Sequence, residues 1–292
     1  MRLRDRNRRA LLKQACAGIA LPIVAPLTYA ASKLPLRFGT TPVFLDNQAA
    51  LLAQWQRYLQ QKLGRPVVFL QRGSYREILD LLLSDAVDAA WLCGYPFVLA
   101  EAKLQLVAVP HYQSAPLYRA HLIVPAQDTR TARIEDLAGR VFAFSDPLSN
   151  SGHLIPRVEL LRVGLSPRTF FRRSFFTFGH RKVVDAVRLG LADAGSVDGY
   201  VWDTIVRQHP EEAQGVRVAW RSVPHGFPPI VARTALDTHD REALAEALLH
   251  MRQSPIGSDL LKRLNIDGFA APAPAMFDSI RQLVREQARL TT

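Results

Sequence analysis

From Leu36 onward the chain alternates two patterns. Short runs rich in β-branched and apolar residues predict strands at 36–39, 66–70, 87–92, 104–110, 140–144, 172–177, 194–197 and 216–220. Between them, apolar residues recur at helical spacing. Leu51, Leu52, Trp55, Leu59 and Leu63 mark one face of a helix over 47–63 that Gly64 stops. Ser74-Tyr75-Arg76-Glu77 is a capping box ahead of Ile78, Leu79, Leu82 and Leu83. Val183, Val184, Val187 and Leu191 trace a further apolar face, and amphipathic helices follow near 241–251, 258–264 and 276–290. Strands alternating with helices predict βαβ units and an α/β fold with largely parallel sheets.

Two longer extended stretches, 117–125 and 227–233, bracket a self-contained α/β block of ordinary domain size. The expectation is therefore a first lobe built from 36–117 plus 225–292, and a second lobe, 118–224, inserted into it. Two strands crossing between the lobes would form a hinge. Neither an internal repeat nor a low-complexity tract interrupts 36–292.

Residues 1–30 read differently. Asn7-Arg8-Arg9-Ala10-Leu11-Leu12-Lys13 precedes an apolar stretch from Ala15 to Leu27, and Thr28-Tyr29-Ala30 supplies the small residues of a cleavage site. This predicts a signal peptide of the twin-arginine type, the alternative being an ordinary secretory leader. Pro22 and Pro26 break the stretch below the ~20 residues of a membrane span. The mature protein is expected in the periplasm.

Composition sharpens this picture in two places. The 292 residues are 48% apolar and 22% charged, which excludes a disordered or fibrous chain. The formal charge of +11 contains a leader surplus of five, leaving +6 for the body, and residues 118–224 carry 15 basic against 11 acidic side chains without clustering. That pattern argues against nucleic-acid binding. Of the two cysteines, Cys16 lies in the leader without a lipidation pattern, so Cys93 is the sole thiol of the mature chain and no intrachain disulfide is expected.

Four strand-to-helix junctions carry the candidate chemistry: Phe38-Gly39-Thr40-Thr41-Pro42, the run from Val87 to Pro96 through Cys93-Gly94-Tyr95, the run from Phe144 to His153 through Ser149-Asn150-Ser151, and Gly179-His180-Arg181-Lys182. With Ile134-Glu135-Asp136-Leu137-Ala138-Gly139-Arg140, they resemble the phosphate-, phosphite- and phosphonate-binding periplasmic proteins of ABC transporters. The resemblance implies a two-lobed, type II periplasmic-binding-protein fold, each lobe a mixed, mostly parallel sheet flanked by helices. Physical chemistry points the same way, because helix N-termini beyond strand ends present unpaired N–H groups to anions.

As candidate ligand contacts the resemblance implies Ser149, Asn150, Ser151 and His180, with Asp198 at a further strand end. Thr40 and Thr41 are candidates at the first turn, and Cys93, Gly94 and Tyr95 at the second. Each also has a structural reading: a helix cap for Ser149 and Asp198, a buried hydrogen-bonder for His180, a β-turn for the threonines, core packing for Tyr95. The return crossover, Pro224-His225-Gly226-Phe227-Pro228-Pro229, lacks the extra acid of aminophosphonate binders.

Cys93, just before a helix start, is expected to have a lowered pKa. A soft thiolate suits trivalent arsenic or a similar metalloid, which leaves two readings of the same fold. One is a solute-binding protein that closes on a small oxyanion for an ABC permease. The other is a metalloid-sensing relative that uses Cys93 and signals to a membrane histidine kinase. A third, an enzyme with Cys93 as nucleophile and His180 as base, lacks any orienting acid. No cofactor or resident metal is expected. The chain is read as a monomer that meets the membrane only through its partner.

Overall fold

The computed structural model describes residues 34–41 and 49–291. The leader with Cys16, the predicted helix start at Asn47 and the turn residue Pro42 lie outside the described residues. The rest belong to one compact unit, Lys33–Thr292.

The first half alternates as its periodicity predicts: β1 (Leu36–Thr40), α1 (Ala49–Leu63), β2 (Val67–Gln71), α2 (Tyr75–Leu83), β3 (Ala89–Trp91), α3 (Gly94–Ala100) and β4 (Leu104–His111). Only the Ser74 half of the predicted capping box forms. Ser74 accepts the Glu77 N–H at 3.3 Å while its hydroxyl meets the Glu77 carboxylate at 2.9 Å.

The predicted stretch 117–125 breaks at Arg119 into β5 (Leu117–Tyr118) and β6 (Ala120–Pro125), and the second lobe follows. It comprises β7 (Val141–Phe144), one π-helical turn over Asn150–Leu154 running into α4 (Ile155–Arg162), β8 (Arg173–Phe176), α5 (His180–Arg188), β9 (Ala194–Asp198), α6 (Gly199–Gln208), α7 (Pro210–Ala213) and β10 (Val216–Arg221). The return, expected as one strand over 227–233, is instead β11 (His225–Gly226) and β12 (Ile230–Arg233). Then come α8 (Thr238–Leu249), α9 (Pro255–Leu264), β13 (Gly268–Ala270) and α10 (Asp278–Thr291).

Two sheets result. The first has the order β13-β4-β12-β3-β1-β2, the second β10-β6-β9-β7-β8, and β5 pairs with β11 in a two-stranded ribbon between them. Mixed sheets flanked by helices, joined by two crossovers, make the two-lobed type II architecture. "Mostly parallel" needs correcting, because only β1–β2, β1–β3, β7–β8 and β7–β9 pair in parallel. Strands β12 and β6, which enter each sheet from the other lobe, pair antiparallel with both neighbours. They arrive without the crossover helix that a parallel pairing requires.

The main core cluster runs through both lobes, and the second sheet carries a smaller one of its own. In the first, Phe38, Trp55 and Phe69 meet at 5.2–5.7 Å, and the Tyr58 hydroxyl donates to the Ala247 carbonyl at 2.6 Å, tying α1 to α8. In the second, Phe142 stacks on Phe171 at 4.5 Å. Asp88, at the start of β3, binds the Arg37 guanidinium at 2.7 Å and that of Arg233 at 2.9 Å, strapping β1 to β12 at the end of the sheet remote from Thr40.

Candidate functional site

The carboxyl ends of β3, β7 and β9 lead into turns that carry most of the candidate residues, and β1 ends at Thr40. From the first lobe, Thr40 is fully buried and its Oγ1 has no hydrogen-bond partner. Thr41 is turned the other way, its hydroxyl donating to the Trp91 carbonyl at 3.4 Å. Only the first of the two threonines therefore offers a free hydroxyl. Cys93 caps α3 and is buried, with Sγ accepting the Asn150 N–H at 3.4 Å from the other lobe.

From the second lobe, Ser149 caps the π-helical turn by accepting the Gly152 N–H at 3.0 Å. Asn150 donates through Nδ2 to the Tyr118 hydroxyl at 2.9 Å, while its Oδ1 has no partner. Ser151 holds the turn to β9, its carbonyl accepting the Ser196 hydroxyl at 2.6 Å, and its side chain bonds to Tyr118. Ser145 is fully buried with Oγ unpartnered. Gly152 makes this packing possible, since a Cβ there would lie 1.9 Å from Ser145 Oγ.

His180 and Asp198 form the floor. The Asp198 backbone N–H donates to His180 Nδ1 at 3.1 Å, which fixes the imidazole proton on Nε2, 3.2 Å from the Tyr75 hydroxyl. The Tyr75 phenol thus accepts from His180 and keeps its own proton for another acceptor. Burial holds His180 neutral, its pKa lowered to about 3. Asp198 caps α6, accepting the Tyr200 N–H at 2.8 Å and that of Val201 at 3.4 Å. Burial nevertheless lifts its carboxyl to about 7. Asp146 accepts the N–H groups of Leu148 and Tyr75, at 2.7 Å and 3.1 Å, and burial raises its pKa too.

The cluster thus comprises hydroxyls, an amide, an imidazole, a thiol and two carboxyls, with no Lys or Arg among them. Donors aimed inward from helix starts suit an oxyanion, and the Asp198 carboxyl suits a ligand that brings a proton of its own, while both Asp146 oxygens are taken by backbone N–H groups.

Of the ten predicted site residues, Cys93, Asn150, Ser151, His180 and Asp198 meet here, directly or through Tyr75 and Tyr118, while Thr40 ends β1 opposite Trp91. Ser149 supports them as a cap. Gly94 packs instead toward α10, where a Cβ would lie 2.5 Å from Ile280 Cδ1. Tyr95 is half-buried against the first core, with Arg76 and Arg157 as its charged neighbours. The sequence reading missed Tyr75, Tyr118, Ser145 and Asp146. Ser145 and Asp146 stand in the motif quoted for the second lobe, and Tyr75 in the capping box, so the signal was there for three of the four.

One expectation reverses. The Cys93 thiol is pushed up to about 12, first by burial and further by the Asp198 and Asp146 carboxyls, against the N–H groups of Asn150 and Tyr95. It is a buried thiol and not a thiolate, so the basis for a metalloid ligand is gone. A separate grouping of metal-ligating types, His209, Glu211 and Glu212, lies at the surface, with Glu212 already paired to Arg181. Among the described residues no helix is long and apolar enough to cross a membrane.

Residues 38–277 match the family model described as ABC transporter, phosphonate, periplasmic substrate-binding protein. The phosphate-import protein PhnD of Mycolicibacterium smegmatis is 24% identical over 228 residues, 73% of this chain and 70% of that one. The binding-protein component of an ABC phosphonate transporter from Pseudomonas aeruginosa superposes with a TM-score of 0.81 at 22% identity, covering 88% of both chains. PhnD1 from Prochlorococcus marinus, solved with methylphosphonate, gives 0.78 at 18% identity over 86% of this chain and 97% of that one.

Proposed function

Because the chain belongs to the family of periplasmic substrate-binding proteins of phosphonate ABC transporters, we propose that it closes on a small oxyanion of the phosphonate, phosphite or phosphate class. It then presents the ligand to a membrane permease, without chemistry on it. The lobes are 36–117 plus 225–292 and 118–224, hinged on the β5–β11 ribbon. The ligand contacts are Thr40, Tyr75, Cys93, Tyr118, Ser145, Asn150, Ser151, His180 and Asp198. Residues 1–30 export the protein to the periplasm as a twin-arginine leader.

The observation that carries this reading is the trio of orphaned polar atoms. Thr40 Oγ1 from one lobe, and Ser145 Oγ and Asn150 Oδ1 from the other, are buried without partners. Each such group costs about 1–3 kcal/mol of desolvation unless something pairs with it. The end of β1 and the turn after β7 thus each supply polar atoms that an oxyanion or its proton could pair with. Such a ligand recovers that cost by bridging the lobes, and this differential contact is what drives closure.

Calorimetric titration of the mature protein with methylphosphonate, phosphite, phosphate, sulfate and 2-aminoethylphosphonate tests it. The expected result is binding of at least one of the first three, weaker by about tenfold or more in Thr40→Val and in Asn150→Ala, since each removes one hydrogen bond to a charged group. Wild-type affinity in both variants would put the ligand elsewhere.

A further inference from the structure

Helix α2 finishes its N-terminal turn with side chains from both lobes. Ser74 takes the Glu77 N–H at 3.3 Å from within the same turn. The first N–H of the helix, that of Tyr75, is taken at 3.1 Å by Asp146 Oδ2, which lies 71 residues away in the other lobe. Asp146 is 1% exposed, and its second oxygen accepts the Leu148 N–H at 2.7 Å in its own loop. A carboxylate at the positive end of a helix is favourably placed. This one exists as a pair only when the lobes are together, because Tyr75 and Asp146 follow strands of different sheets.

We propose that Asp146 is the residue that positions the lobes for capture: its carboxylate occupies the N-terminus of α2 and gives the closed state an attractive contact independent of ligand. The proposal rests on the reading of a cleft that opens and closes. Apparent ligand affinity scales with the fraction of competent, closed-prone protein, so this one contact tunes affinity without touching the ligand.

A double-mutant cycle on ligand-free protein tests it, read by the rate at which Cys93 reacts with a small aromatic disulfide reagent. The thiol is 4% exposed and sits across the same junction, bonded to the Asn150 N–H of the other lobe. Tyr75→Ala removes the phenol and keeps the N–H, whereas Tyr75→Pro removes both. The first helical position accepts proline, and Ser74, with φ −143° and ψ 159°, already has the extended backbone that a following proline requires. Tyr75→Pro is expected to react about tenfold faster than Tyr75→Ala when Asp146 is present, as befits one hydrogen bond to a charged group. In Asp146→Ala the two should react equally, and Asp146→Asn, which keeps an acceptor without charge, should fall between.

A Pro/Ala ratio that persists in Asp146→Ala, or that is near one throughout, overturns the proposal. If Asp146 merely braced its own loop through Leu148, its removal would leave the ratio unchanged. Should the proline variants fail to fold, small-angle scattering of ligand-free Asp146→Asn against wild type decides, because the Asp146 charge also acts on the Cys93 thiol: a larger radius of gyration supports the contact, an equal one refutes it. Wild-type Cys93 reacting like a free thiol also refutes it. Because no ligand is present, a failed ligand titration and a failed cycle are separate outcomes.

Discussion

Replacing Gly152 with alanine should separate folding from binding. The new Cβ would lie 1.9 Å from Ser145 Oγ, 2.7 Å from Ser145 Cβ and 3.1 Å from Ser149 Oγ. Rotating the Ser145 side chain relieves the first contact but not the second, since Cβ does not move with χ1. The loop backbone must therefore shift. Overpacking of this kind costs about 1–3 kcal/mol, and at this chain length each kcal/mol lowers Tm by about 2–4 °C. The same shift displaces Ser145 and Asn150 from the proposed ligand contacts and loosens the Ser149 cap. Thermal unfolding should show a drop of a few degrees, and calorimetry with the wild-type ligand should show at least a tenfold loss, about 1.4 kcal/mol. Adding Ser145→Gly removes both short contacts, so the double variant should regain stability without regaining affinity. Wild-type affinity in Gly152→Ala would refute the assignment of this loop to the ligand, whatever happened to Tm.

Two further outcomes concern pH and the first core. The Asp198 carboxyl is lifted from 3.8 to about 7 in the folded chain, so the fold holds a proton there that the unfolded chain releases. Its contribution to stability is full below the unfolded value and is lost as pH rises to about 7. Denaturant titrations should show Asp198→Asn gaining on wild type between pH 4 and 7, with the gap constant above 8; a gap independent of pH would contradict this. In the first core, Asp88→Ala leaves the Arg37 and Arg233 guanidinium groups without their shared carboxylate. A loss of about 3 kcal/mol is expected by the same denaturant method, at the low end for a buried pair because Arg37 is partly exposed, with ligand affinity unchanged. A loss under 1 kcal/mol would show that the strap contributes little.

Local rules were enough to read some of this molecule from its sequence. The βα alternation follows from periodicity, and the Ser74 and Ser149 caps follow from residue type and spacing. What resisted reading depends on partners far along the chain. Strand direction in β6 and β12 is a matter of topology, and an apolar run looks alike in either orientation. Tyr75 and Tyr118 present as aromatic core residues. Their hydroxyls join the candidate cluster only because His180 and Asn150, 105 and 32 residues away, come to meet them. Thr40 and Thr41 are indistinguishable until the Thr41 hydroxyl is seen to donate to the Trp91 carbonyl. Cys93 is the sharpest case, where the local helix start predicts a lowered pKa and tertiary burial imposes a raised one.

If the inter-lobe cluster holds the ligand as proposed, the lack of Lys and Arg among its described residues carries a consequence for the setting in which the protein works. A receptor that held its anion by ion pairs would lose grip as salt rose, since surface charge interactions are screened within about 10 Å at 0.1 M. A seat made of hydroxyls, an amide and helix ends, closed off from water, has little for mobile ions to screen. Such a binder keeps its selectivity through swings in ionic strength, and it discriminates among anions by shape and protonation state, not by charge alone.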